Sequence, residues 1–162
     1  MEVVEGTATV DDVDAFIEAL GEIEREHGTT VQAFDARYVV SRDHLERAVA
    51  LARRERERGE AIARDESVEI LLYAAGRRQI NRALGMGVSE GDSPVVAVVV
   101  GGDEASGADS VRELLEPAGT LGEYEPERVR EFFDISDAEL AATAGDLADL
   151  VCERVALLVV DR

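Results

Sequence analysis

Lysine is absent from this chain of 162 residues: all 17 basic residues are arginines, set against 36 Asp and Glu, for a formal net charge of −19. Tryptophan is absent, aromatics make up 4% and there is a single cysteine. Each shortage excludes something. One cysteine, Cys152, rules out an internal disulfide framework and a cysteine-based zinc site, and with only His27 and His44 beside it transition-metal ligands are scarce. No apolar run approaches the ~18 residues of a membrane span. The N-terminus carries Glu2 and Glu5 and no basic region, which predicts no secretory signal and a cytoplasmic protein. A field this negative repels phosphate and argues against a DNA-binding protein with a broad basic face. What is present is a 46% hydrophobic fraction, the mark of a folded domain rather than an acidic tail. Dense carboxylates without lysine fit a halophilic source, where salt screens their repulsion. A GC-rich genome would also favour arginine over lysine.

The halves differ in charge. Residues 1–81 hold 18 acids and 11 arginines, net −7; residues 82–162 hold 18 acids and 6 arginines, net −12. The first half is therefore the better place for an anionic ligand. Along the chain, Val4, Gly6, Ala8 and Val10 alternate as one face of a strand, and Asp11 reads as the cap of a helix with Val13, Phe16, Ile17, Leu20 and Ile23 inward, ended by Gly28. Val31–Val40 reads as a second strand. Ser41 caps a polar helix with Leu45, Ala48, Val49 and Ala52 inward. A helix over about 65–75 is interrupted at Gly76, and a short one holding Ile80, Ala83 and Leu84 follows. Val95–Val100 is an unbroken apolar run, a strand covered on both faces. A helix with Val111, Leu114 and Leu115 stops at Pro117, Leu121–Tyr124 reads as an edge strand, and Pro126 opens a helix bearing Val129, Phe132 and Phe133. Ser136 with Glu139 forms a capping box for a final helix. The expectation is an α/β fold: a small, about four-stranded sheet flanked by about seven helices, in a single domain over residues 1–162.

The stretch Ile70–Ser89 contains no Asp or Glu, where the chain's average would place about four. It holds Arg77, Arg78 and Arg82 with Gln79 and Asn81 between them. Arg78 and Arg82 lie one helical turn apart and share a face. Gly76 allows a sharp turn, and amides just after it would favour an anion. Arginine planes also stack on unpaired bases. Equally, these arginines can pair with acids from elsewhere in so acidic a chain.

Other features read more plainly. Gly101-Gly102-Asp103-Glu104 spells the start of the diguanylate cyclase signature, but Ala105 follows where that signature has an aromatic residue, and the context is strand, loop, helix. No Lys-Ser/Thr follows to make a phosphate loop, so a surface turn is the better reading. Cys152 reads as a small core residue, His27 as a residue of a helix C-terminus, and His44 as facing solvent or packing on the neighbouring strand. No nucleophile constellation emerges. The last helix carries a stripe of Ala144, Leu147, Ala148, Val151, Val155 and Leu158, widened by Leu150, Ala156, Leu157 and Val159. Such a helix is either central or covered by a partner, and Leu157–Val160 could instead form a short strand.

Glu69–Val88, with Ala75-Gly76, Arg78-Gln79-Ile80 and Ala83-Leu84, resembles the signature of the smallest regulatory subunit of the KEOPS complex, the PRPK-binding protein family of archaea and eukaryotes. Weaker similarity runs through Val31–Tyr38, Pro94–Val100 and Leu147–Val155. The resemblance implies an α/β protein that is not an enzyme and has neither cofactor nor metal. It implies a subunit of the machinery that installs threonylcarbamoyladenosine in tRNA, one that binds the small atypical kinase/ATPase subunit and holds the 3′ CCA end of tRNA. Carried over by motif position, the tRNA-binding candidates are Gly76, Arg77, Arg78, Gln79, Asn81 and Arg82. The kinase-binding candidates lie on the expected exposed side of the final helix: Val151, Arg154, Val155 and Leu158. The chain departs from the family in its loops at Ser89–Ser93 and Gly102–Asp109 and in its acidity. In high salt the counterion-release contribution is nearly spent, so affinity rests on stacking and directed hydrogen bonds.

Two other readings differ in class. One is a protein-interaction module that regulates a small kinase without touching RNA; it has no need of an exposed arginine island. The other is a nucleotide-using enzyme built on the Gly101–Glu104 turn, which needs a metal and turnover.

Overall fold

The computed structural model describes residues 1–160. Its elements, in order, are β1 (Glu2–Val10), α1 (Val13–His27), β2 (Thr30–Asp35), a 3-10 turn (Ala36–Tyr38), α2 (Arg42–Glu57), α3 (Glu66–Ala75), α4 (Ile80–Ala83), a second 3-10 turn (Leu84–Met86), β3 (Gly91–Val100), α5 (Glu104–Glu113), β4 (Glu116–Pro117), α6 (Pro126–Phe132), α7 (Asp137–Ala142) and α8 (Leu147–Leu157). The four strands form one antiparallel sheet in the order β2-β3-β1-β4. The α/β expectation holds. Among the described residues no helix is long and apolar enough to cross a membrane.

The apolar run at 95–100 lies in the interior strand β3, with Glu2 opposite Val99 on β1 and Thr30 opposite Val100 on β2. Val95, Ala97 and Val99 point to the face covered by α1 and α5; Val96, Val98 and Val100 point to the face covered by α2, α3 and α8. These six are at most 3% exposed, and each buried valine contributes roughly 1.5–3 kcal/mol. Gly6 serves the other side of the sheet. A Cβ there would meet the Glu116 carbonyl oxygen at 2.6 Å, so glycine lets β4 approach β1.

Most boundaries follow local chemistry. Asp12, one residue later than expected, caps α1 by accepting from the Asp14 and Ala15 amides, and Gly28 closes the helix in the left-handed region. Ser41 caps α2 by accepting from His44 N. The expected strand to Val40 stops at Asp35. Its carboxylate accepts from Arg37 N at 3.0 Å and grips the Arg37 guanidinium at 3.0 and 2.7 Å, which turns Ala36–Tyr38 into a 3-10 turn. Leu121–Tyr124 is not a strand: Glu5 takes the Leu121 amide at 2.7 Å and the Thr120 hydroxyl donates to Val95 O at 2.8 Å, leaving Glu116–Pro117 as the edge. Ser136 caps α7 rather than the final helix. α8 has its own capping box, in which Asp146 accepts from Asp149 N and Asp149 from Asp146 N. Leu157–Val160 does not form a strand; α8 ends at Leu157 and a turn follows.

The Gly101–Glu104 segment is a surface turn, as expected. Gly101 N donates to Glu104 at 2.7 Å, the same carboxylate holds the N-terminal ammonium, and Asp103 caps α5. Its glycines are steric: a Cβ on Gly102 would lie 2.1 Å from Gly28 O.

Candidate functional site

The acid-free stretch begins inside the protein and ends outside it. Ile70 to Ala75 are each at most 3% exposed, so the second half of α3 is buried around its whole circumference. Gly76, at φ 61°, closes the helix: its amide donates to Tyr73 O at 3.1 Å and the Arg77 amide to Leu72 O at 3.0 Å, the two bonds of a Schellman motif. Both amides are thereby spent on α3, which leaves the expectation of anion-favouring amides to the start of the short helix α4. A Cβ on Gly76 would stand 3.3 Å from Arg154 O, so this turn is pressed against α8.

His44 holds the same turn from the other side. It is fully buried, with Nδ1 accepting from Val40 N at 3.3 Å and Nε2 donating to Ala74 O at 2.8 Å. Burial lowers its pKa to about 4, so the ring is neutral. Of the two expectations for His44, solvent exposure fails, and the packing it makes is on α3 and Phe133 rather than on a strand.

Beyond Gly76 the three arginines part company. Arg77 turns back onto the protein. Its guanidinium donates to Phe132 O, reaches Asp134 at 3.1 Å and lies 5.5 Å over the Phe132 ring. Arg78, Gln79, Asn81 and Arg82 are exposed, and none of their side chains makes a hydrogen bond or ion pair among the described residues. In α2, Arg42, Arg47, Arg53 and Arg54 each hold a carboxylate, as does Arg58 just past its end, while Arg56 donates to the Ala63 and Arg64 carbonyls.

Residues remote in sequence complete the site. Tyr38, Arg77, Arg82, Arg128, Glu131, Phe132 and Asp134 enclose a hollow of about 480 Å³. Phe132 stands edge-on to Tyr38, with ring centroids 5.4 Å apart, and Arg128 is tied to Glu125 and Tyr38. The hollow thus offers aromatic rings and guanidinium planes for stacking, and one guanidinium, Arg82, with no carboxylate to hold it. Tyr38, Arg128 and Phe132 were missed in the sequence because their relation to the motif is purely spatial.

A family model described as kinase binding protein CGI-121 matches residues 9–158. The chain belongs to the CGI-121 family. The match runs from the end of β1 through α8 and takes in the whole motif, and the family's described property gives the chain a kinase-binding, regulatory character. No curated protein matches.

The surface expected for a CGI-121 partner on α8 needs correction. Val151 and Val155 are 0% exposed and Leu158 is 3% exposed, all within the chain's own core. Arg154 is committed inward, to Glu139 at 2.6 and 2.7 Å and to the Phe133 and Asp134 carbonyls. Of the two readings of this helix, central is right for Leu147, Val151, Val155 and Leu158, while Ala144 precedes α8 and is exposed. The apolar surface left at this end is Leu157 and, just past the helix, Val160. Cys152 is buried as expected, its thiol pushed up by burial and by Asp43.

Proposed function

We propose that this CGI-121 chain is a non-catalytic subunit of the KEOPS tRNA-modification complex, serving threonylcarbamoyladenosine formation in a salt-rich cytoplasm. It binds the kinase/ATPase subunit and recruits tRNA through the unpaired 3′ CCA end. The observation that carries the RNA half is the exposure of Arg78 and Arg82, unpaired beside an arginine- and aromatic-lined hollow, in a chain with about two acids for every arginine. Gln79 and Asn81 add directed hydrogen bonds, and Tyr38 and Phe132 add rings on which a base stacks, at ~1–3 kcal/mol per base. Gly76 and Arg77 act by posing the segment.

Affinity built this way depends weakly on salt, because few phosphate contacts release few counterions. The test titrates tRNA against the protein from low to high salt, with the 3′ CCA end intact and removed. The reading predicts a shallow salt slope and a loss of at least about tenfold on removal of the end. Equal affinity for both tRNAs contradicts it, and absence of binding to either leaves the kinase-binding module without RNA contact.

A further inference from the structure

β2 is an edge strand, and its free edge is not out on the surface. It lies at the bottom of a groove of about 500 Å³ between α1 and α3. The walls are apolar: Phe16, Ile17 and Leu20 on one side, Val68, Leu71 and Leu84 on the other. Ile17, expected to face the core, is 54% exposed, and Leu84 is 55% exposed.

The backbone facing this groove is provisionally covered. Val31 N donates not to β3 but to the Glu24 carboxylate at 3.0 Å, so its N–H points away from the sheet. By the two-residue period of the strand, Ala33 N–H points the same way. Ala33 O, also on this side, accepts from the Gln32 side-chain amide at 2.8 Å. Two of the chain's own side chains thus stand where a neighbouring strand's backbone would bond, a common protection of an open edge.

The ends of the groove differ in charge. Glu24, Asp65 and Glu66 meet at the Thr30 end. Glu66 already holds Arg53 at 2.7 Å, but the Asp65 side chain makes no hydrogen bond or ion pair among the described residues. Burial chiefly, and these neighbouring carboxylates, push the Glu24 carboxyl up, against the pull of the Val31 amide. A cation at this end would relieve the repulsion.

We infer that this groove receives a single extended segment of another protein, which adds to β2 as a fifth, antiparallel strand, apolar on both faces and carrying an arginine or lysine at the end that passes Glu24 and Asp65. Antiparallel addition matches the rest of the sheet and places the basic residue at the segment's C-terminal end. The incoming carbonyl takes over the Val31 N–H, and Glu24 turns to the basic side chain. Main-chain bonds supply affinity and alternate side chains supply specificity. A second copy of this chain is excluded as occupant. Its own β2 edge is recessed between helices in the same way, so two such edges cannot meet.

The test uses labelled hexapeptides of the form Val-Ile-Val-Thr-Val-Arg, with the apolar positions varied among Val, Ile and Leu, and reads binding by fluorescence anisotropy. At least one peptide of the panel should bind, and its counterpart ending in Glu should bind at least about tenfold more weakly. Ile17→Glu and Leu84→Glu alter exposed positions and should each lower affinity about tenfold. Ala33→Pro removes the outward N–H while sparing the bonds to β3, and should abolish binding with the circular dichroism spectrum unchanged. Bound peptide should also slow hydrogen exchange at the Ala33 amide. Arg78→Glu should leave peptide binding unchanged, which separates this site from the proposed RNA site. Absence of any binder in the panel overturns the inference. So does binding indifferent to Ala33→Pro, which would mark the groove as a pocket for apolar molecules rather than a strand site.

Discussion

From Ile70 to Ala75 no side chain is more than 3% exposed, whereas from Arg78 to Arg82 every residue is exposed. These two segments belong to one acid-free stretch and are separated by the left-handed Gly76 and by Arg77. Acids are missing from each for a different reason. In α3 a carboxylate would enter the core; after Gly76 it would neutralise arginines that are left without partners. One stretch thus divides into a half that specifies where the turn sits and a half that presents chemistry to solvent. The comparison with α2 points the same way. There the five arginines named above hold carboxylates, Arg54 and Arg58 sharing the buried Glu55, and the exposed pairs among them contribute ~0–1 kcal/mol.

Substitutions on either side of Gly76 break this division in different assays. The largest effect on stability is expected in the buried half. Leu72→Ala should lower the unfolding free energy by about 2–5 kcal/mol in urea denaturation. Close behind comes the His44 contact with Ala74. The folded protein holds His44 at about 4, against 6.5 for an unperturbed histidine. Between these values the unfolded chain binds a proton that the folded chain refuses. Stability is therefore full above about pH 6.5 and falls as pH drops toward 4, by an amount on the order of 3 kcal/mol. Urea midpoints measured from about pH 7 to 5, where ordinary carboxylates stay ionised, should show the slope, and a His44→Gln variant should lose it. A flat profile in the parent protein would show that His44 is hydrated. Gly76→Ala should cost about 1–2 kcal/mol, since alanine disfavours the left-handed turn and its Cβ meets Arg154 O. The smallest effect belongs to the exposed half: Arg82→Ala should change stability by less than about 0.5 kcal/mol.

What the sequence disclosed was largely what is local. Ser41, Gly28 and Gly76 mark helix ends through bonds to residues within a turn, Pro126 does so through its fixed φ and missing N–H, and all four stand where those rules place them. The run at 95–100 identified an interior strand because six apolar residues in succession, five of them β-favouring valines, suit a strand covered on both faces. The misreadings come from competition and from distance. Asp35 turns the end of β2 by binding Arg37, and Glu5 takes the Leu121 amide from the opposite end of the chain. The α8 stripe was legible as apolar, but periodicity does not distinguish a chain's own core from a partner's. The motif itself was readable; Tyr38, Arg128 and Phe132 became its neighbours only through the packing of α6 against the turn after β2. The groove beside β2 escaped notice because Ile17 keeps helical spacing with the core residue Leu20 while standing at the rim, and Leu84 reaches the other wall only through the turn that follows α4.

The most direct test of the two-halves account is the double substitution Arg78→Glu/Arg82→Glu, assayed in parallel for urea stability, for kinase binding and for affinity toward tRNA with an intact CCA end. The account predicts an unchanged denaturation midpoint, unchanged capture of the kinase and a loss of RNA affinity of at least about tenfold. Loss of stability or of kinase binding together with RNA binding would contradict it, as would RNA affinity equal to that of the parent protein.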